Sequence, residues 1–507
     1  MKNLKFLSGL IFILVFFAFN NEPVNVNSAK TLDANSITTA YTNYGLFNYG
    51  IEEAHFNVFG NDLRAISGIW IGATVNSQIR LAVSEFTHRD YLPGYIDIGE
   101  NPQGKDDPLY RVYKIIEADT ISKDYLHWPI NQGAYLNNLG KPYLMGKQTL
   151  FYSYTDGYPE AHNLTQPLKV QILQTNWAYE LAGPLSVTVF SELRIINKSN
   201  DVWNETYIGF WTDDEIGDAT DDGVCSDSAA SLGLTYNIDN NNSNYGAAPP
   251  AVGFKILSGP FKYTGSNNDS VVYYLPPGSN NKIVKRGYKN LYASSNNIII
   301  NGSPTNGDPV TTEEYYNVLK GLKRNGQPWI NQVTNERTNF PCSMENNIGG
   351  DLRFLLSSGP LNINPGDTQV VVIAQLVARG GSNLQSISEL ERSADLVQNI
   401  FDCNFCNIPN EIVNAEVQLP NQYKLYQNYP NPFNPVTKIK YSLPKPGTVK
   451  LIVYDIQGKE VEVLKDSFQE AGDKEATFDA SGLASGIYFY KLTINNLSTT
   501  LKMVLQK

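Results

Sequence analysis

Histidine is scarce in this chain. There are four in 507 residues, and His55, His88, His127 and His162 include no pair at i, i+2 or i, i+4. That excludes a zinc motif of the H-E-x-x-H kind, in which two imidazoles share one helix face. Basic residues are outnumbered as well: 39 Lys and Arg face 50 Asp and Glu, for a net charge of −11. Nucleic-acid binding rests on Lys and Arg neutralising phosphates, so neither DNA nor RNA is a fitting partner. No G-x-S-x-G elbow, P-loop or G-x-G-x-x-G fingerprint occurs, which removes the local anchors of serine hydrolases and nucleotide-binding folds. Past residue 29 no apolar run reaches the roughly 20 residues that a membrane-spanning helix needs.

The one long apolar run, Leu7 to Phe19, follows Lys2 and Lys5 and stops at Asn20, Asn21 and Glu22. A basic stretch ahead of a run of that length is the pattern of a secretory signal peptide. Small residues near Ser28 and Ala29 set the expected cleavage point, so residues 1–29 read as signal peptide, with no membrane span once it is removed. Cysteine is nearly as rare as histidine: Cys225, Cys342, Cys403 and Cys406. An even count in an exported chain points to disulfides, and four cysteines leave three pairings open. Cys403-Asn-Phe-Cys406 follows a predicted helix rather than opening one. It therefore lacks the helix dipole that lowers the thiol pKa in redox motifs.

What the chain does have is 31 Tyr, 39 Gly and 27 Pro against four Met, a composition of strands joined by turns. The expected fold is mainly β. A β-sandwich-like passenger forms one region over 30–165 and a second over 166–406. In the first, Gln78–Glu85 and Tyr110–Ile116 alternate at period two. In the second, Leu185–Ile196 and Trp203–Trp211 read as a hairpin closed by Asn197–Asp201. Thr311 and Glu314 have capping-box spacing before a short helix that Gly321 ends. Leu384, Ile387, Leu390, Ala394, Val397 and Phe401 share one face of a helix near 382–401, expected to cover an end or edge of a sheet. Residues 407–422 read as a linker. Seven short strands over 423–507, separated by turn signals, predict an Ig-like sandwich.

The densest concentration of charge follows the Trp211 strand: Asp213, Asp214, Glu215, Asp218, Asp221, Asp222 and Asp227, broken by Gly217 and Gly223. Calcium takes six to eight oxygens, and turn-rich Asp loops supply them. The spacing is not that of an EF-hand. Asp213, Asp214, Glu215, Asp218, Asp221 and Asp222 are the candidate ligands of a structural calcium. The alternative is a glycosidase carboxylate pair drawn from Asp213, Glu215 and Asp218, which would need the two groups about 5–10 Å apart across a sugar cleft. Trp203 and Trp211, at even spacing, are expected on one face of a strand, packed in a core.

In order along the C-terminal part come Asn428-Tyr-Pro-Asn-Pro-Phe-Asn434, Tyr454-Asp-Ile-Gln-Gly-Lys-Glu-Val461, Gly486-Ile-Tyr-Phe-Tyr-Lys-Leu492 and a terminal Lys507. This series resembles the type A C-terminal sorting domain of type IX secretion substrates, with Asn431, Pro432, Phe433, Asn434, Gly458, Gly486, Tyr488, Lys502 and Lys507 as its motif residues. The resemblance implies passage through the inner membrane by the signal peptide and recognition by the outer-membrane secretion machinery. It also implies loss of the domain by a cut near 407–425, and either attachment to surface lipopolysaccharide or release. Ser67-Gly-Ile-Trp-Ile-Gly-Ala73, the Gly209–Asp222 segment and Ser358–Asp367 resemble a group of secreted proteins that carry the same domain. That second likeness adds architecture and no chemistry. The combined expectation is a secreted or cell-surface binding or structural protein, with glycans among its partners and calcium as its stabilising ion. The alternative is a polysaccharide-acting hydrolase.

Overall fold

The computed structural model describes residues 28–49, 56–346, 348–406, 408, 423–443, 447–469, 472–494 and 497–506. Nearly all of the expected signal peptide, all of the linker but Ile408, and Lys507 fall outside these residues. The chain divides into two compact units, a large one ending at Ile408 and a small one formed by the C-terminal residues.

The large unit is built on two antiparallel sheets. The ten-stranded sheet runs in the order Ser295–Ile300, Leu352–Ile363, Trp203–Glu215, Arg64–Val75, Leu46–Phe47, Ile37–Thr42, Phe56–Val58 and Asn61–Asp62, with Ala29–Leu32 and Gln78–Val83 pairing off this path. The nine-stranded sheet runs Tyr113–Ile116, Gln148–Thr155, Val170–Ala178, Thr188–Asn197, Thr368–Ala378, Ala251–Ser258, Leu232–Asn237 and Asp222–Asp227, with Leu92–Pro93 added to Gln148–Thr155. Strands from both sides of residue 165 take part in each sheet. One core lies between the sheets, to which Ile69, Ile71, Phe210 and Phe354 contribute from the first sheet and Ile172, Leu193, Val252 and Ile373 from the second.

The expected hairpin does not form. Thr188–Asn197 lies in the nine-stranded sheet and Trp203–Glu215 in the ten-stranded one, so Asn197–Asp201 carries the chain from sheet to sheet. The Asn197 side-chain amide donates to the Asp201 carbonyl (2.9 Å) and the Ile363 carbonyl (3.1 Å), fixing that corner. Nor do Trp203 and Trp211 share a face. The pairing register shifts between Asn204 and Tyr207, where Glu205 has φ 45°. An extra residue in a strand reverses the alternation beyond it. Trp203 therefore lies between the sheets and Trp211 on the outer face, both fully buried.

The helices close the outer faces. Thr312–Leu319 has the expected capping box, with Thr311 Oγ1 accepting from the Glu314 amide (3.3 Å) and Glu314 accepting from the Thr311 amide (3.1 Å). It packs on Trp70, Leu81, Val83 and Trp211. Glycine at 72 and 209 admits it, since a Cβ at either position would stand 3.0 Å or less from Leu319. The longer helix, Asn383–Asp402, lies on the face of the other sheet against Leu232–Asn237, Ala251–Ser258 and Thr368–Ala378, rather than at its end. Ile387, Leu390, Ala394 and Val397 are buried as the periodicity predicts, but Leu384, in the first turn, is exposed.

The small unit has the seven expected strands in two sheets. Lys424–Leu425, Val436–Leu443 and Gly472–Asp479 form one; Glu460–Gln469, Gly447–Tyr454, Gly486–Ile494 and Leu497–Leu505 form the other. Its separate core contains Phe433, Ile439, Val453, Phe478, Tyr490 and Met503.

Candidate functional site

In the small unit the motif residues join distant parts of the chain. Asn428 is buried; its amide N–H donates to the Tyr490 hydroxyl (2.8 Å) and its side chain to the Pro430 carbonyl and Thr437 Oγ1 (both 3.0 Å). Asn431 Oδ1 accepts from the Val504 amide (2.9 Å). Phe433 donates to the Val504 carbonyl (2.9 Å) and accepts from the Gln506 amide (3.0 Å), forming a parallel bridge with Leu505. The 428–434 loop is thereby sewn to the last strand. Gly458, at φ 79°, closes the turn in which Asp455 Oδ1 accepts from Gln457 and Lys459. The Tyr488 hydroxyl donates to the Ala484 carbonyl (2.8 Å) at the turn before Gly486. Pro432, Asn434 and Lys502 are exposed.

The acidic segment is divided by strand alternation. Asp213 and Glu215 face outward, whereas Asp214 faces between the sheets. Asp213 meets Arg353 (3.1 Å), whose guanidinium also reaches Asp308 (3.4 Å) and Asp351 (3.2 Å). Burial raises the Asp213 carboxyl to about 7 against the pull of Arg353. Asp214 accepts from Thr212 (2.9 Å) and Thr235 (3.4 Å). It ends a buried polar chain in which Thr39 bonds Asn48 (2.6 Å), Asn48 bonds Ser67 (2.9 Å) and Ser67 bonds Thr212 (2.8 Å). Burial raises Asp214 to about 7 and Asp222 to about 9. Asp222 accepts from the Ile216 amide (3.3 Å), and Asp221 from the Asn237 side chain (3.1 Å). Asp218 is exposed, held low by the Thr220 amide. Among the described residues no three His, Cys, Asp or Glu side chains gather as an ion would require.

Sequence reasoning missed Arg353, Asp308 and Asp351, as well as two further clusters. Glu85, His88 and Tyr315 form the first. The Tyr315 hydroxyl lies 2.9 Å from Glu85 Oε1 and 3.0 Å from His88 Nδ1, and Glu85 holds the His88 imidazole above its usual pKa. In the second, His162 Nε2 lies 2.7 Å from the Asp156 carbonyl oxygen and 3.5 Å from its carboxylate, and Nδ1 lies 3.8 Å from Asp90. No local motif marks either cluster: Glu85, His88 and Asp90 share one loop, but Tyr315, Asp156 and His162 join them from far along the chain.

Cys225 is bonded to Cys342, and Cys403 to Cys406. The first bridge ties the edge strand Asp222–Asp227 to the short helix Ser343–Asn346 across 117 residues. Closing so long a loop restricts the unfolded chain, so replacing both Cys225 and Cys342 by Ser should lower stability by about 2–4 kcal/mol. A denaturant midpoint left unchanged would show that the bridge does not hold the fold.

Residues 427–506 match the family model described as secretion system C-terminal sorting domain. The chain is a type IX secretion substrate. This marks the protein for export to the cell surface or the medium, through the type IX machinery. No curated protein matches the chain. Among solved structures, a polysaccharide lyase is 8% identical over 86% of this chain and 45% of that chain, with a TM-score of 0.23. A Salmonella alpha-2-macroglobulin mutant is also 8% identical, over 95% of this chain and 26% of that one, with a TM-score of 0.15. This chain spans less than half of either structure, and both likenesses are too slight to carry fold or chemistry.

Proposed function

We propose that the passenger works outside the cell as a non-catalytic binding or structural protein delivered by its sorting domain. The observation that favours this over hydrolysis is the engagement of the acidic segment. Of the candidate pair residues, Asp213 is tied to Arg353 and Asp218 accepts from the amide and hydroxyl of Thr220, while the neighbouring Asp214 faces the interior and Asp222 accepts from a backbone amide. A glycosidase needs two carboxyls facing one cleft, one of them free to donate a proton and the other to attack or to activate water. Exported protein incubated with outer-membrane polysaccharide should therefore leave its chain length unchanged. Depolymerisation that Asp213→Asn abolishes, with the melting midpoint preserved, would overturn the proposal in favour of a hydrolase.

A further inference from the structure

The motif loop of the sorting domain separates into two kinds of residue. Asn428 and Phe433 are each 2% exposed and hold the loop to Thr437, Tyr490 and the last strand. Tyr429, between two anchored neighbours, is 81% exposed. Its backbone is fixed on both sides, since its amide donates to the Lys438 carbonyl (3.0 Å) and its carbonyl accepts from Lys438 (3.1 Å). A large ring is thus held out on a rigid support and contributes nothing to the domain's own core. Rigid tyrosines of this kind lose little entropy when covered and are enriched in interfaces.

Beside this ring is a groove of about 540 Å³, lined by Tyr426, Gln427, Tyr429, Lys438, Lys440 and Glu475 among others. Its floor is the strand Val436–Leu443, whose inward residues Thr437, Ile439 and Tyr441 are buried while Lys438 and Lys440 point out. Both lysines share Glu475, at 2.6 and 3.8 Å, with their side chains 61% and 69% exposed. Two ammonium groups on one carboxylate leave a positive charge over, and Lys424, whose Nζ stands 4.6 Å above the Tyr426 ring, adds another. In a chain of net charge −11 this is a local reversal of sign, which steers and selects a partner of opposite charge.

We propose that this groove is where the sorting domain docks an acidic peptide segment of the secretion machinery, with Tyr429 covered on docking and Lys438 and Lys440 paired to the partner's carboxylates. The proposal rests on the export reading and names the surface that serves it.

The test uses the full-length chain in its own cells. Tyr429→Ala, and separately Lys438→Glu with Lys440→Glu, should each cut surface and medium signal at least tenfold and leave the chain in the periplasm, while Lys438→Arg with Lys440→Arg exports as the parent does. All the altered side chains are exposed, and protection of the Leu497–Leu505 amides from exchange checks that the domain is folded in each retained chain. Normal export of both groove variants, with a chain lacking 423–507 retained, would overturn the groove and keep the export reading. Export of the chain lacking 423–507 would instead overturn the export reading itself. Concentration-dependent dimerisation that the groove variants abolish without loss of export would assign the groove to a second copy and also overturn the proposal.

Discussion

Replacing Phe433 by alanine should strip the sorting domain of a large share of its stability. Phe433 is 2% exposed, and its ring centroid lies 6.0 Å from that of Phe478. Removing a buried phenylalanine side chain costs about 3–5 kcal/mol, the lost transfer energy plus the cavity left behind. A unit of about 80 residues has roughly 4–12 kcal/mol in all, at 0.05–0.15 kcal/mol per residue. The loss is compounded by position, because the Phe433 backbone exchanges hydrogen bonds with Val504 and Gln506 and so closes the outer edge of the last strand. A cavity there loosens the connection between the 428–434 loop and the C-terminal strand, which Asn431 alone, through the Val504 amide, then has to hold on that side. Hydrogen exchange reads this locally. Amides of Leu497–Leu505 should lose protection at least a hundredfold, the equivalent of about 2.7 kcal/mol, while those of Gln148–Thr155 in the passenger are unchanged. Protection reduced less than fivefold at Leu497–Leu505 would show that Phe433 is dispensable to the domain and that its place in the motif has another cause.

This coupling shows where the sequence could and could not be read. Strands of the small unit such as Val436–Leu443, Gly447–Tyr454 and Gly486–Ile494 are legible because they alternate at period two, and turn residues such as Gly458 separate them. The helix Thr312–Leu319 is legible from the Thr311–Glu314 box, a relationship spanning three residues. What escaped depends on pairing partners far off in the chain. Alternation shows that Thr188–Asn197 and Trp203–Glu215 are strands, but not that Asn197–Asp201 passes between sheets, since that is settled by Asn197 reaching the Ile363 carbonyl 166 residues away. The bulge at Glu205 has no marker of its own, glycine being absent there, so even spacing in the sequence does not reveal that Trp203 and Trp211 lie on opposite faces. The acidic segment was legible as a concentration of charge and illegible as an arrangement. Its sorting into outward Asp213 and inward Asp214 follows from the strand continuing to Glu215, and the cation that meets Asp213 is Arg353, 140 residues on.

The same burial of carboxyls makes the passenger's stability depend on pH in an unusual sense. Burial raises Asp90 and Asp214 to about 7, Asp156 to about 8 and Asp222 to about 9, and raises Asp213 to about 7 despite Arg353. In the unfolded chain all five ionise near 3.9. Between about pH 4 and these raised values the folded state holds protons that the unfolded state has released, so stability falls as pH rises. The contribution is complete below pH 4 and is lost as pH rises through 7 to 9. His162 acts in the opposite direction: burial lowers its pKa, so the unfolded chain takes up a proton near 6.5 that the folded one does not. One imidazole therefore offsets one carboxyl, and only below about pH 6.5. A single carboxyl that keeps its proton from pH 5 to 7 changes stability by about 2.7 kcal/mol, at 1.36 kcal/mol per pH unit. The melting midpoint of the passenger should accordingly be higher at pH 5 than at pH 7.5, by about 5 °C or more. Asp156→Asn should flatten the slope, because Asn cannot ionise yet keeps an acceptor for one of the two amides, Leu168 (2.7 Å) and Val170 (2.6 Å), that the carboxyl oxygens now receive. A midpoint that instead climbs from pH 5 to 7.5 would mean that these carboxyls are ionised in the fold, stabilised by Arg353, the Thr hydroxyls and the backbone amides more strongly than burial penalises them.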